Sequence, residues 1–208
     1  DAAERGANVR VGHRLIRAAR ERGLWRAEIE CETLQQTYTV SARAIVNAAG
    51  PWISEVLTQR LGGGSRQSVR LVKGSHIVLR RLYDGDHAYV LQHPDRRIVF
   101  VIPYQDDFTL IGTTDVPWQG EPGPVAIEPT EMDYLCQTVN SYFERQIRPG
   151  DVVWSYAGIR PLYDDAASEA SAVTRDYRLD IDAPQGQAPV LSVFGGKITT
   201  FRRLAEQA

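Results

Sequence analysis

Ser192-Val193-Phe194-Gly195-Gly196-Lys197-Ile198-Thr199-Thr200-Phe201-Arg202 is the stretch around which the chain is organised. Pro189 to Phe194 is a short apolar run, as in a buried strand. Two glycines break it, and Ile198, Phe201, Leu204, Ala205 and Ala208 then recur at helical spacing. Strand, Gly-Gly and helix together bring bare backbone N–H groups and a helix N-terminus up to an anionic group. Gly195 and Gly196 allow close approach because they lack a Cβ. By itself the corner also fits an ordinary strand–turn–helix connection.

A second crossing has the same grammar. Leu24 to Cys31 alternates with period two, and Gln36 to Val46 reads as its hairpin partner across Glu32–Gln35. That partner runs into Asn47-Ala48-Ala49-Gly50-Pro51-Trp52, small residues followed by Pro at a first helical position. Ile53, Val56, Leu57 and Leu61 form the apolar stripe of the helix, and Gly62-Gly63-Gly64 ends it. Tight helix–strand packing explains these small residues as well as a ligand does. Asn8–Val11 is a further short strand candidate, and residues 1–7 resemble the tail of a helix.

Between the crossings the pattern turns to β. Val69–Leu79, Tyr89–Leu91, Arg97–Pro103 and Phe108–Thr114 are strands joined by short turns, which implies an antiparallel sheet. Thr130-x-x-Asp133 has the spacing of a capping box, and Met132, Leu135, Val139, Tyr142 and Phe143 give a helix to cover one face. Val152–Ile159 and Val173–Ile181 are two more strands. The domain reading is a first part at 1–66, an inserted antiparallel sheet at 67–185 and a return at 186–208.

Composition narrows the class. The 208 residues are 43% hydrophobic and 24% charged, with formal net charge −2, which is ordinary for a globular chain and gives no sign of a bulk nucleic-acid binder. No apolar run approaches the roughly 18 residues of a membrane span. Cys31 and Cys136 have no metal or redox spacing, consistent with a reduced, cytoplasmic setting. Lys73 and Lys197 are the only lysines; all the other basic residues are arginine.

Arg160, Arg175 and Lys197 are candidates for binding an anion, because arginine offers a planar bidentate fork and lysine a point charge. Each alone fits a surface ion pair too. His76, in the apolar run His76-Ile77-Val78-Leu79, is a candidate general base or hydroxyl partner, or else a satisfied core histidine. The sequence has no G-x-G-x-x-G after a strand, no P-loop, no G-x-S-x-G and no H-E-x-x-H.

Seven strings, in order, resemble the FAD-dependent, quinone-linked sn-glycerol-3-phosphate dehydrogenases: ARAIVNAAGPW (42–52), VRLVKGSHIVL (69–79), RRIVFVIPY (96–104), FTLIGTTDV (108–116), VVWSYAGIRPL (152–162), AVTRDYRLDI (172–181) and SVFGGKITTFRRLAE (192–206). The resemblance implies an α+β or α/β chain. Part of a glutathione-reductase-like FAD-binding domain would carry an inserted antiparallel substrate domain of the amino-acid-oxidase-like type. It implies FAD contacts at Ala48, Ala49, Gly50, Trp52, Gly195, Gly196, Ile198 and Thr199, with Leu15 near the adenine end. It places His76, Arg160, Arg175 and Lys197 around the substrate, with His76, Arg160 and Lys197 as the catalytic candidates and no metal.

The implied reaction oxidises sn-glycerol 3-phosphate to dihydroxyacetone phosphate, with a hydride passed to FAD and the electrons to quinone. Peripheral attachment to the inner face of the cytoplasmic membrane is implied for the parent. The alternatives are an FAD-dependent amine or amino-acid oxidase of the same superfamily, or a non-catalytic anion-binding module. Asp1 opens without a methionine and Ala208 falls within an amphipathic helix, so the sequence reads as an internal piece lacking the family's N-terminal glycine-rich segment and C-terminal domain. Alone it is expected not to retain FAD and to be inactive.

Overall fold

The computed structural model describes residues 1–65, 67–164 and 176–208. They fall into two units: Asp1–Ser68 with Tyr177–Ala208, and Val69–Asp176.

In the first unit β1 (His13–Glu21), β2 (Leu24–Cys31) and β3 (Gln36–Ala42) form an antiparallel meander. The period-two face of β2 is buried through Trp25, Ala27 and Cys31. β1 replaces the expected strand at Asn8–Val11, where Val9 and Val11 are exposed and the backbone is irregular. A register shift between Leu15 and Arg17 breaks the alternation of β1, which is why period two does not reveal it. Residues 1–6 form turns rather than a helix.

The expected long strand Gln36–Val46 is also interrupted. β3 stops at Ala42, and β4 (Ile45–Asn47) joins another sheet. That sheet has the order β11 (Tyr177–Asp182), β12 (Val190–Gly195), β4. β12 pairs antiparallel with β11 and parallel with β4. Trp25 ties the meander to it, donating from Nε1 to the Pro189 carbonyl at 2.8 Å with Arg20 stacked 4.5 Å from its ring. The pairing of β11 puts residues 177–182 in the first unit, whereas the sequence reading ran the inserted sheet on to 185. The start of the expected strand, residues 173–175, lies outside the described residues.

After β4 come a 3₁₀ turn at Gly50–Trp52, the single turn α1 (Ile53–Glu55) and a π-helical turn at Val56–Arg60. The expected stripe holds: Ile53, Leu57 and Leu61 are buried, and Val56 is half-buried. Gly62 ends the helix at φ 63°, a left-handed value that suits glycine.

The second unit is a sheet of order β10 (Val152–Tyr163), β5 (Val69–Arg80), β8 (Phe108–Gly112), β7 (Ile98–Tyr104), β6 (Tyr89–Gln92), with β9 (Val116–Pro117) beside β5. One face carries Ile77, Leu79, Leu91, Val99, Val101 and Ile111 against α2 (Pro129–Asn140), which supplies Leu135, Cys136 and Val139. The capping box of α2 is Glu128 with Glu131, and Pro129 lies in its first turn; Thr130 and Asp133 do not form it. α2 ends at Asn140, so Tyr142 lies beyond the helix and is exposed. Its hydroxyl donates to the Gln92 carbonyl at 2.5 Å. Leu135 is fully buried between α2 and the sheet, so Leu135→Ala should destabilise the protein by about 2–5 kcal/mol. A lowered urea midpoint with an unchanged slope would report it.

Candidate functional site

Two constellations stand out, one in each unit. In the first, Ile45–Asn47 and Val190–Ser192 pair as neighbouring parallel strands, and both chains leave that pair through small residues. Asn47 is buried and fixes one corner: Nδ2 donates to the Ile53 carbonyl at 3.0 Å and Oδ1 accepts from the Ala49 N–H at 3.3 Å. Gly50, Gly195 and Gly196 have φ of 55°, 71° and 98°, which L side chains rarely adopt. Lys197 follows, exposed, its carbonyl accepting from the Thr200 N–H and hydroxyl at 3.1 Å each. Ile198–Thr200 is a 3₁₀ turn leading into α3 (Phe201–Gln207). Trp52, Ile198 and Thr199 are exposed, and Ala48, Ala49 and Gly50 line the other corner. Leu15 sits half-buried in β1, opposite Ile29.

In the second unit His76 lies on β5, an interior strand of the sheet. Phe100, Gly112, His76 and Tyr156 form one cross-strand row over β7, β8, β5 and β10. Directly opposed residues share a face, and this is the face away from α2. The His76 ring stacks on Tyr156, with centroids 4.7 Å apart and planes 4° from parallel. On its other side Gly112 leaves the needed space, because a Cβ there would overlap the imidazole. The Gly112–Thr113 peptide is cis. His76 Nδ1 is buried with no hydrogen-bond partner among the described residues. Burial, and then the charge of Arg160, push the His76 pKa below its ordinary value, so the ring is neutral at pH 7.

Arg160 reaches the same face from β10. Its guanidinium occupies space that a Cβ at Gly74 would fill. Nη2 donates to the Thr114 carbonyl and to Asp115 Oδ1, both at 2.7 Å. The structure thus brings His76 and Arg160 to one face of the second unit, while Lys197 belongs to the first; Arg175 lies outside the described residues.

Beneath β5, towards α2, lies a buried ionic cluster. Lys73, 1% exposed, donates from Nζ to Glu128 Oε1 at 2.7 Å and pairs with Glu131 Oε2 at 2.9 Å. Glu131 Oε1 accepts from the Ser75 hydroxyl at 2.8 Å and the Thr114 hydroxyl at 2.7 Å, and Oε2 accepts from the Glu128 N–H at 2.9 Å. Burial opposes both charges. For Lys73, the hydrogen bonds to Glu128 and Glu131 outweigh it and raise the pKa. For Glu131, the bonds from Lys73, Thr114, the Glu128 N–H and Ser75 outweigh it and lower the pKa.

Sequence reasoning marked Lys73 only for its rarity and missed Thr114, Asp115, Tyr156 and Glu131 as neighbours of the site. The findable signal was Glu128-Pro129-Thr130-Glu131, a capping pair around a first-turn proline. Among the described residues no three His, Cys, Asp or Glu side chains group as a metal site, and no helix is long and apolar enough to cross a membrane.

Comparison with known proteins gives this geometry a family. Residues 1–198 match the FAD dependent oxidoreductase family. The chain belongs to that family. It is 50% identical over 207 residues to a glycerol-3-phosphate dehydrogenase of Pseudomonas aeruginosa, covering 100% of the chain and 40% of that relative. It is 47% identical over 206 residues to a D-erythritol 1-phosphate dehydrogenase of Brucella abortus, covering 99% and 41%. The solved glycerol-3-phosphate dehydrogenase of Bacillus halodurans complexed with FAD matches with a TM-score of 0.76 at 26% identity, covering 99% of this chain and 39% of that one. The chain therefore spans about two fifths of the length of these relatives. Its fold, a mixed sheet with an inserted antiparallel sheet, agrees with the FAD-binding type. The corners fit such a cofactor: neighbouring parallel strands ending in backbone at positive φ are where open α/β sheets admit nucleotides.

Glu131 has a lowered folded pKa, so its stabilising contribution is present above the ordinary carboxylate value and is lost as pH falls through the folded value. Lys73 has a raised one, so its contribution is present below the ordinary lysine value and is lost only as pH rises through the folded value. Glu131→Gln removes one of the two carboxylates that hold the buried Lys73 ammonium and leaves it only Glu128, at a cost of up to about 3–5 kcal/mol near neutral pH. The stability gap between wild type and variant should narrow as pH falls from the ordinary carboxylate range through the lowered folded value of Glu131; chemical denaturation at a series of pH values measures it.

Proposed function

We propose that the protein containing this chain oxidises sn-glycerol 3-phosphate to dihydroxyacetone phosphate. The observation that carries the reaction type is a neutral His76 on the same sheet face as the Arg160 cation. Similarity at 50% identity to a glycerol-3-phosphate dehydrogenase supports the choice of substrate. In this reading the first unit is the flavin-binding part, with FAD held by Ala48, Ala49, Gly50, Trp52, Gly195, Gly196, Ile198 and Thr199. The second unit faces substrate.

FAD, when bound, supplies the acceptor for the hydride that leaves C2. His76 takes the C2 hydroxyl proton, which its depressed basicity permits at neutral pH. Arg160, fixed by Thr114 and Asp115, offers a charge that stabilises the developing alkoxide or holds the phosphate. Lys197 and Arg175 are proposed as further cations for the substrate. Quinone as the electron acceptor, and peripheral attachment to the inner face of the cytoplasmic membrane, belong to the same proposal. The Brucella relative supports a second substrate, D-erythritol 1-phosphate, which also joins a phosphate to a secondary alcohol.

Anaerobic mixing of the full-length, FAD-loaded protein with each phosphate ester tests the proposal. Glycerol 3-phosphate should bleach the flavin, and its failure to do so would reject the reading; faster bleaching by D-erythritol 1-phosphate would favour the second substrate. His76→Asn should lower the rate of flavin reduction by about 10²–10⁴-fold. In wild type, kcat/KM should fall as pH drops through a His76 pKa that lies below the ordinary histidine value.

A further inference from the structure

We propose that Thr114 and Glu131 are positioning residues that set the substrate-facing guanidinium of Arg160 through the sheet from its opposite side. The inference rests on the functional reading above.

β5 divides two environments. Gly74 and His76 point to one face, and Lys73, Ser75 and Ile77 to the other. The segment after β8 passes from one environment to the other at Thr114. Its side chain is fully committed on the α2 side: the hydroxyl donates to Glu131 Oε1 at 2.7 Å and accepts from the Ser75 N–H at 2.9 Å. Its own N–H reaches the Ser75 carbonyl at 3.3 Å. Its carbonyl, on the same residue, accepts from Arg160 Nη2 at 2.7 Å, and the next residue supplies Asp115 Oδ1 at the same distance. Arg160 is steered at one end by its place opposite Val72 in the strand ladder and at the other by these two acceptors.

Glu131 makes the anchor stiff. Its four bonds come from three separate segments: β5 through Lys73 and Ser75, the 113–115 segment through Thr114, and the start of α2 through the Glu128 N–H. Thr114 is 1% and Glu131 5% exposed, so no water competes for these bonds. A carboxylate so held cannot rotate without breaking several charge-assisted bonds at once. The position of the Thr114 carbonyl, and with it the guanidinium fork, is thereby fixed by the packing of α2. The Gly74 gap is the complement of this arrangement, since a Cβ there would meet both Arg160 and the Thr113 Oγ1.

The test is a mutant cycle on the full-length, FAD-loaded enzyme. Dihydroxyacetone phosphate binding is read by calorimetry, glycerol 3-phosphate KM and kcat are read beside it, and flavin content and Tm report folding. Thr114→Val should weaken phosphate-ester binding about 10–100-fold, the loss expected when a bond to a charged group is misplaced, and raise KM more than it lowers kcat. Thr114→Ser, which keeps the hydroxyl, should restore binding to within about 3-fold of wild type. Arg160→Lys keeps the charge and removes the fork, so in that background Thr114→Val and Glu131→Gln should have little further effect.

Glu131→Gln gives the same comparison should Thr114→Val not fold. Flavin-loaded variants that bind as wild type, or losses that are equally large with Lys at 160, overturn the proposal. A wild-type enzyme that binds no phosphate ester overturns the functional reading together with it.

Discussion

The Lys73–Glu131 pair is the constraint from which the second unit takes its geometry. A buried ammonium or carboxylate alone would be strongly unfavourable, and each is tolerated because the other, with Glu128, Ser75, Thr114 and a backbone N–H, satisfies it. Apolar residues of similar volume could pack the same space with no loss of stability. What they could not do is specify direction. The carboxylate joins the helix start, the central strand and the 113–115 segment at a single atomic group, so a register slip of β5 would leave charges unpaired.

Empty space is the second constraint. His76 and Arg160 are bulky groups on a sheet face where side chains from adjoining strands normally meet at close range. Gly112 and Gly74 remove those neighbours. Tyr156 then supplies an aromatic wall against which the imidazole rests. The face away from α2 keeps Phe100, Trp154 and Tyr156 partly uncovered around these polar groups, a mixture of apolar surface and a few placed polar atoms that suits a small ligand.

Local pattern carried much of this into view and long-range bonding carried the rest out of it. The period-two run at 24–31 became a strand that buries Trp25, Ala27 and Cys31, and the apolar runs at 69–79 and 97–103 became β5 and β7, the first buried on both faces in its middle and the second burying Val99 and Val101. β1 did not show because its bulge resets the alternation, and the break after Ala42 did not show because the apolar pattern continues while the chain changes sheets. Spacing alone points to Thr130 and Asp133 as the cap, whereas the carboxylate of Glu131 reaches back to the Glu128 N–H and closes the capping box two residues earlier. His76 and Arg160 were readable as residue types in a matched string. Thr114, whose carbonyl holds Arg160, lies 46 positions from it, and Tyr156, which stacks on His76, lies 80 positions away, and no local signal predicts such pairings.

The parallel pairing of β4 with β12 has a consequence for the order in which the chain can organise itself. Ile45 lies opposite Val190, so closing this pair encloses the entire second unit in the loop between them. Loop closure over so many residues carries an entropic cost that falls if the intervening chain is already compact. On a ribosome the strands of the second unit, all made before Val190, can pair among themselves while Asn47 still lacks its neighbour. The two glycine corners are brought together only when synthesis has passed them both, so this part of the first unit cannot take its shape before the whole second unit has been made.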